Sequence, residues 1–169
     1  MAILDIFKKP YTLGELMNID QGRQQRAQYC SVQLVDTYHE LKKEGLLDKF
    51  RSRLLGKPSI ESYFVIFKFS VSSGPGHEHT VYIRIAPDFD LKNYTSSRVQ
   101  IYCSCEDFKY RSAYMLERRG SLFSNDRIDL DLGPAKTDAP RRQGSLLCKH
   151  AFAAVNYFIQ NYQNIMRSV

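Results

Sequence analysis

Four residues of this chain have the types and the spacing of a metal-binding site: Cys103, Cys105, Cys148 and His150. They form a C-x-C doublet and a C-x-H doublet, which together supply three thiolates and one imidazole. This ligand set is typical of structural zinc sites, in which four protein ligands leave no coordination position for water or substrate. The sequence therefore predicts a bound Zn²⁺ that stabilises the fold and performs no chemistry.

Two other interpretations of these residues stay open, namely redox or disulfide chemistry and burial in the core without a metal. A catalytic interpretation has less support. A Cys/His nucleophile pair needs a free thiolate near a base. Cys148 and His150 could form one, but zinc ligation accounts for them together with Cys103 and Cys105. The sequence also has no glycine-rich phosphate loop of recognised spacing, so we expect no enzymatic activity and no catalytic residues.

The remaining cysteine and two histidines that lie close to each other in the sequence are predicted to have no metal-binding role. Cys30 stands alone in a helical pattern, and we expect it to be a small buried side chain. His77 and His79 lie beside a Gly-Pro-Gly turn, without a third ligand nearby in the sequence. A solvated loop tip is therefore the favoured interpretation of both histidines.

The C-x-C and C-x-H doublets need rigid elements to position them, and the sequence predicts strands ahead of the C-x-C doublet. Residues 63–71 and 80–85 are rich in aromatic and β-branched side chains and enclose a turn, which predicts a hairpin. Residues 98–102 are predicted to be a third strand that ends at Cys103 and Cys105. Because residues i and i+2 of an extended chain point to the same side, both sulfurs can reach one ion.

The second doublet is followed by a predicted helix that begins at His150. Its apolar residues recur at three- and four-residue steps and would hold the imidazole rigidly against the core. They are Ala151, Val155, Phe158, Tyr162 and Ile165. A further helix is predicted within residues 106–120, ending at Gly120, and a long loop over residues 121–147.

Helices are predicted in the N-terminal part of the chain. A helix capped by Asp20 is predicted to end at Gly45, since apolar residues recur at helical steps along it. These are Ala27, Cys30, Leu34, Tyr38 and Leu41. A second, basic helix is predicted over residues 46–55. The expected fold class is therefore α+β, with N-terminal helices, a small antiparallel sheet (a hairpin plus a third strand), a zinc knuckle and a C-terminal helix.

The bulk properties favour one domain with an arm. The chain has 169 residues, and we expect an arm at residues 1–19, a capping box at Thr12 and Glu15, and a single domain over 20–169. Eleven Tyr and ten Phe suit interfaces, and the net charge of +6 is dispersed. No signal peptide or membrane-length apolar run is visible, so we expect a reducing, intracellular compartment such as the cytoplasm, and no membrane partner.

The order of strand, C-x-C, spacer, C-x-H and apolar helix resembles the SWIM-type zinc finger, whose pattern C-x-C-x(n)-C-x-H lies on a ββα frame. The resemblance covers residues of about 80–165, and residues 147–151 fit the second half of the pattern. The spacer over 106–147 is longer than is usual in that family. The resemblance implies the four zinc ligands named above and a DNA or protein partner.

The same region also resembles small zinc-site proteins of tailed bacteriophages, through residues 103–111, a spacer with prolines and arginines, and residues 147–150. That resemblance implies a virion component of the neck, tail or baseplate. We therefore expect a non-enzymatic structural subunit that binds other protein subunits of an assembly. The alternative is a SWIM-type nucleic-acid-binding module, whose phosphate contacts would come from Arg111, Arg118, Arg119, Arg141 and Arg142.

Overall fold

The computed structural model describes residues 9–41, 63–124 and 146–168. Within them, four antiparallel strands form one sheet in the order β1-β2-β3-β4, and helices pack against it, which confirms the α+β class. The strands are β1 (Ser31–Leu41), β2 (Tyr63–Ser72), β3 (Glu78–Ile85) and β4 (Val99–Cys103). The α-helices are α1 (Leu13–Met17), α2 (Gln21–Ala27), α3 (Ala113–Arg119) and α4 (Lys149–Arg167).

The predicted hairpin and third strand are confirmed as β2, β3 and β4. Phe67 of β2 lies opposite Ile83 of β3, which lies opposite Ile101 of β4. Because side chains alternate between the two faces of a strand, these three residues share one face of the sheet. The other apolar residues of this face are Val65, Phe69, Val71, Val81, Ile85, Val99 and Cys103.

Helix α4 covers this apolar face of the sheet. The ring centroids of Phe158 and Phe67 are 4.9 Å apart, and those of Tyr157 and Phe69 are 6.1 Å apart. Four of the five residues in the predicted stripe are buried, and the fifth, Tyr162, is half-buried. Burying a side chain of the size of Phe or Val stabilises a fold by about 1.5–3 kcal/mol. The packing of α4 therefore fixes the helix start, where His150 lies.

The prediction of one helix from Asp20 to Gly45 is wrong. Helix α2 ends at Ala27, and residues 31–41 form β1. The pairing with β2 shifts by one residue between Leu34 and Asp36, which is a β-bulge. Because of the bulge, Leu34 and Tyr38 lie on opposite faces of the sheet, opposite Phe69 and Ile66, so their helical spacing does not mark one apolar face. The rest of that prediction and the helix over 46–55 lie outside the described residues.

The helix predicted within 106–120 is confirmed, with an irregular start. Phe108–Ser112 forms a π-helical turn that continues directly into α3. The helix ends at Gly120, which has a φ of 71° in the left-handed region where glycine carries no steric penalty. Phe108 is fully buried and contacts Tyr102, whose ring lies on the second face of the sheet. This helix therefore packs on the opposite side of the sheet from α4.

The described part of the predicted arm contacts the same domain. Leu13 and Leu16 of α1 are buried, and the backbone N–H of Leu13 donates to the carbonyl of Ser97 at 2.7 Å. The predicted capping box is present, because Thr12 and Glu15 each accept a hydrogen bond from the other's backbone. Residues 9–19 are thus held by burial and by hydrogen bonds to their own chain.

Candidate metal centre

The four predicted ligands lie together between the end of β4 and the start of α4. One donor atom of each of Cys103, Cys105, Cys148 and His150 lies within 4.8 Å of the others. The donor atoms of a tetrahedral zinc site are about 3.3–3.8 Å apart, given metal–ligand bonds of about 2.0–2.3 Å. A small inward movement of the side chains would therefore be enough to ligate one ion. The cluster is compatible with a metal site.

The first doublet is held by the junction of β3 and β4. Cys103 is the last residue of β4 and lies opposite Val81. Ser104, between the two cysteines, exchanges two hydrogen bonds with Thr80: the N–H of Thr80 donates to Ser104 Oγ at 3.0 Å, and the N–H of Ser104 donates to the Thr80 carbonyl at 3.0 Å. These bonds extend the pairing past Cys103 and fix the direction of Cys105.

The second doublet is held by the first turn of α4. Cys148 is the N-cap residue, and its Sγ accepts a hydrogen bond from the N–H of Ala151 at 3.3 Å. In the first doublet, the Sγ of Cys105 accepts from the N–H of Phe108 at 3.4 Å. Backbone N–H groups at a helix start favour a negatively charged sulfur. This effect acts with the other contacts of Cys105, whereas for Cys148 burial outweighs it.

Both ring nitrogens of His150 are buried and have no hydrogen-bond partner among the described residues. Burying an imidazole nitrogen without a partner costs free energy, and natural folds satisfy such groups with few exceptions. A cation held by the three sulfurs would satisfy one of these nitrogens by coordination. The unpartnered imidazole beside three thiols therefore indicates that these four residues fit a metal ion.

The protonation of the three cysteines is unequal. Hydrogen bonds from the thiols of Cys103 and Cys148 lower the pKa of Cys105 strongly. Burial raises the pKa of Cys103 and of Cys148 far above the usual value for a thiol. The three sulfurs of the cluster therefore differ in how readily they lose a proton. A bound metal ion displaces thiol protons, which makes its binding pH-dependent.

Arg23 joins the two halves of the metal centre, and the sequence analysis missed it. Its Nη1 donates to the carbonyl of Leu147 at 3.0 Å, directly before Cys148. Its Nη2 lies 3.7 Å from a carboxylate oxygen of Asp107, two residues after Cys105. Arg23 is 9% exposed and belongs to α2, far from both doublets in the sequence. No local pattern marks it, because its partners are a distant carbonyl and a distant carboxylate.

His79 lies next to the metal centre, so the prediction of a solvated loop tip is wrong for this residue. It belongs to β3, is half-buried, and its ring centroid is 4.3 Å from that of His150. Burial and the neighbouring His150 lower the pKa of His79. His77 is exposed and precedes β3. The sequence signal for His79 was its position on a strand that pairs with the cysteine strand.

Cys30 lies away from the metal centre, in a groove between α2 and α4. The thiol is half-buried, and burial raises its pKa. All four cysteines of the chain are free thiols in this structure. Cys30 is thus the cysteine that the ligand cluster does not include, as the sequence predicted.

Some of the arginines proposed for nucleic-acid contacts already interact with other groups of the chain. The Nε of Arg111 lies 3.2 Å from Asp107. The Nε of Arg119 donates to the carbonyl of Lys9 at 2.8 Å, and its guanidinium carbon lies 4.5 Å from the ring centroid of Tyr11. Arg118 is exposed. The other two candidates, at positions 141 and 142, lie outside the described residues.

No protein-family model, curated protein or solved structure matches this chain. The resemblances to SWIM-type fingers and to phage virion proteins therefore stay predictions that depend on the residues alone. Within residues 9–41, 63–124 and 146–168, none of the helices combines the length and the apolar character needed to cross a membrane.

Proposed function

We propose that the cluster binds one structural Zn²⁺ and that the chain is a non-enzymatic structural subunit of a larger protein assembly. The observation that carries the first part is the buried set of three thiols and one unpartnered imidazole within 4.8 Å. Soft sulfur ligands with one imidazole select Zn²⁺ over the hard cations Mg²⁺ and Ca²⁺. The three cysteines and His150 are at most 5% exposed, so the site is closed to substrates.

The role of the ion in this proposal is to join the sheet to the last helix. Cys103 and Cys105 belong to the β4 end, and Cys148 and His150 belong to the α4 start. Three thiolates, one neutral imidazole and Zn²⁺ leave one net negative charge. Zinc sites in small domains contribute on the order of 10 kcal/mol, which is comparable with the stability of a whole domain.

The zinc part is tested by measuring metal content and thiol state in purified protein. We expect about one zinc per chain in protein prepared without chelator, because the four ligands form a single closed site. Replacement by Co²⁺ should give the absorption spectrum of a tetrahedral site with three sulfurs. The Cys30→Ser variant, which alters the cysteine outside the cluster, should bind the same amount. Absence of a transition metal, or disulfide bonds among Cys103, Cys105 and Cys148, would refute the proposal.

The assembly part is supported by exposed apolar side chains along the β1 edge. Val35, at the bulge, is 53% exposed, and Leu41, at the strand end, is 49% exposed. Tyr63, opposite Leu41, is 43% exposed, and Tyr29, before β1, is 85% exposed. Among the described residues, no strand pairs with the outer edge of β1. Unpaired strand edges and exposed apolar side chains are features through which chains associate.

The assembly proposal predicts association at micromolar concentration. Sedimentation velocity of the full chain should show species larger than a monomer. A strictly monomeric protein would contradict this part and would leave the zinc site intact as a separate conclusion. A Val35→Lys variant should associate less, since it places a charge on the β1 edge.

A second candidate function is nucleic-acid binding, which the exposed surface of the helix over 108–119 favours. Tyr114 is 46% exposed, and the guanidinium carbon of Arg118 lies 5.7 Å from its ring centroid. Exposed aromatic rings with arginines can stack on bases and contact phosphates. The acidic residues Glu106, Asp107 and Glu117 lie on the same helix or at its start and weaken this surface for an anion.

A salt titration tests the second candidate. Binding to DNA or RNA through phosphates should weaken steeply as salt rises, with a linear dependence on a log–log scale. Arg118→Gln should lower both the affinity and the salt slope, while Arg26→Gln, an exposed arginine on α2, serves as the matched control. Absence of binding at low salt would remove this candidate.

A further inference from the structure

His79 occupies a defined position beside the metal centre. Val81 lies opposite Cys103 in the pairing of β3 with β4, and Thr80 bonds in both directions to Ser104. His79 precedes Thr80 in β3, and Cys105 follows Ser104, so both residues lie at this end of the paired strands. Since residues i and i+2 of a strand share a face, His79 lies on the same face of β3 as Val81, next to the first doublet.

The contact between His79 and the metal centre is a packing of two rings. The ring centroids of His79 and His150 are 4.3 Å apart, with 43° between the ring planes. Neither ring nitrogen of His150 has a hydrogen-bond partner in the described part of the chain. His79 therefore does not orient His150 through a hydrogen bond, and its effect on that ring is to exclude solvent from it.

His79 also lies where the metal centre comes nearest to solvent. Cys103 and Cys148 are fully buried, whereas Cys105 is 4% exposed and His150 is 5% exposed. Of these two slightly exposed ligands, His150 is in ring contact with His79. His79 itself is half-buried, so one side of its ring contacts the site and another side contacts water. A chelator or proton approaching on this side meets His79 before the ligands.

On the basis of the proposed zinc site, we propose that His79 is a cover that slows exchange of the bound ion. Release of a thiolate-bound ion requires an incoming ligand or a proton to reach a coordinating sulfur or nitrogen. By shielding His150 and Cys105, the His79 ring restricts that approach in both directions. The four ligands then set the affinity, and His79 sets the rate of exchange without coordinating the ion.

The test compares the release of zinc from variants with different groups at this position. His79→Ala removes the ring, and His79→Phe keeps a flat ring without the donor nitrogens. His77→Ala is the matched control, because His77 is exposed and two residues away. Zinc-loaded full-length protein is mixed with excess chromophoric chelator in a stopped-flow instrument. Co²⁺ spectra of each variant show whether the tetrahedral site is intact.

We expect zinc release from His79→Ala to be several times faster than from the wild type, because the shell around a metal site controls the access of solvent. His79→Phe and His77→Ala should release zinc at nearly the wild-type rate, and all Co²⁺ spectra should match. If His79→Ala folds poorly, His79→Val, which suits a strand but is too short to cover His150, takes its place.

Three results would overturn the proposal: unchanged or slower release from His79→Ala, release from His79→Phe as fast as from His79→Ala, or a Co²⁺ spectrum altered by loss of His79. The second and third would indicate that the imidazole donates to the ion. These outcomes differ from failure of the zinc site itself, in which the wild-type protein would bind no stoichiometric metal at all.

Discussion

Replacing Cys148 with serine separates the metal ligand from the helix cap that the same residue provides. The Cys148 Sγ accepts a hydrogen bond from the N–H of Ala151 as the N-cap of α4. Serine is among the preferred N-cap residues, and losing a cap altogether costs about 0.5–2 kcal/mol. Cys148→Ser therefore keeps the cap, removes one zinc ligand, and should match the metal-free wild type within about 1 kcal/mol.

With zinc present, the two proteins should differ strongly. A ligand that binds only the folded state at 1,000 times its dissociation constant stabilises it by about 4.1 kcal/mol. For a domain of this size, 1 kcal/mol raises the melting temperature by about 2–4 °C. Zinc should therefore raise the melting temperature of the wild type by about 8–16 °C, and that of Cys148→Ser by far less.

The assay is thermal unfolding followed by circular dichroism, at buffered free zinc and again with excess chelator. Cys30→Ser is the matched control, because Cys30 lies in the groove between α2 and α4, away from the ligand cluster. It should keep the full zinc-dependent shift. A wild type that does not respond to zinc, or a Cys148→Ser variant that gains the same shift, would refute the reasoning.

Three further predictions follow from the described contacts. Zinc binding at pH 7 should release thiol protons from Cys103 and Cys148, because burial raises the pKa of both. The affinity for zinc should therefore increase with pH. Calorimetry in buffers of different ionisation enthalpy measures this release, and finding no released protons would contradict the prediction. Arg23→Met should weaken zinc binding by about 10–100-fold in chelator competition, because the variant loses the contacts that link the two doublets. Arg26→Met, the matched control, should bind zinc as the wild type does. Phe158→Ala should lower the free energy of unfolding by about 3–5 kcal/mol in urea titrations, since the ring is fully buried against the sheet, and a loss under about 1 kcal/mol would show that the core closes over the gap.

Local periodicity predicted the elements that carry the ligands. Residues 63–71 and 80–85 have a strand composition, and Ala151, Val155 and Phe158 recur at helical steps; the structure confirms both predictions. The same reasoning was wrong for residues 31–41. A β-bulge at Val35 shifts the alternation, and only the pairing with β2 shows which residues share a face.

The sequence alone determined the four candidate ligands, because a C-x-C and a C-x-H doublet identify themselves through residue type and spacing. Only the tertiary structure showed that Arg23 links the two doublets and that His79 packs on His150. Both contacts join segments that are distant in the chain. Sequence periodicity reports which face of an element is apolar, whereas such contacts depend on how the elements are arranged in three dimensions.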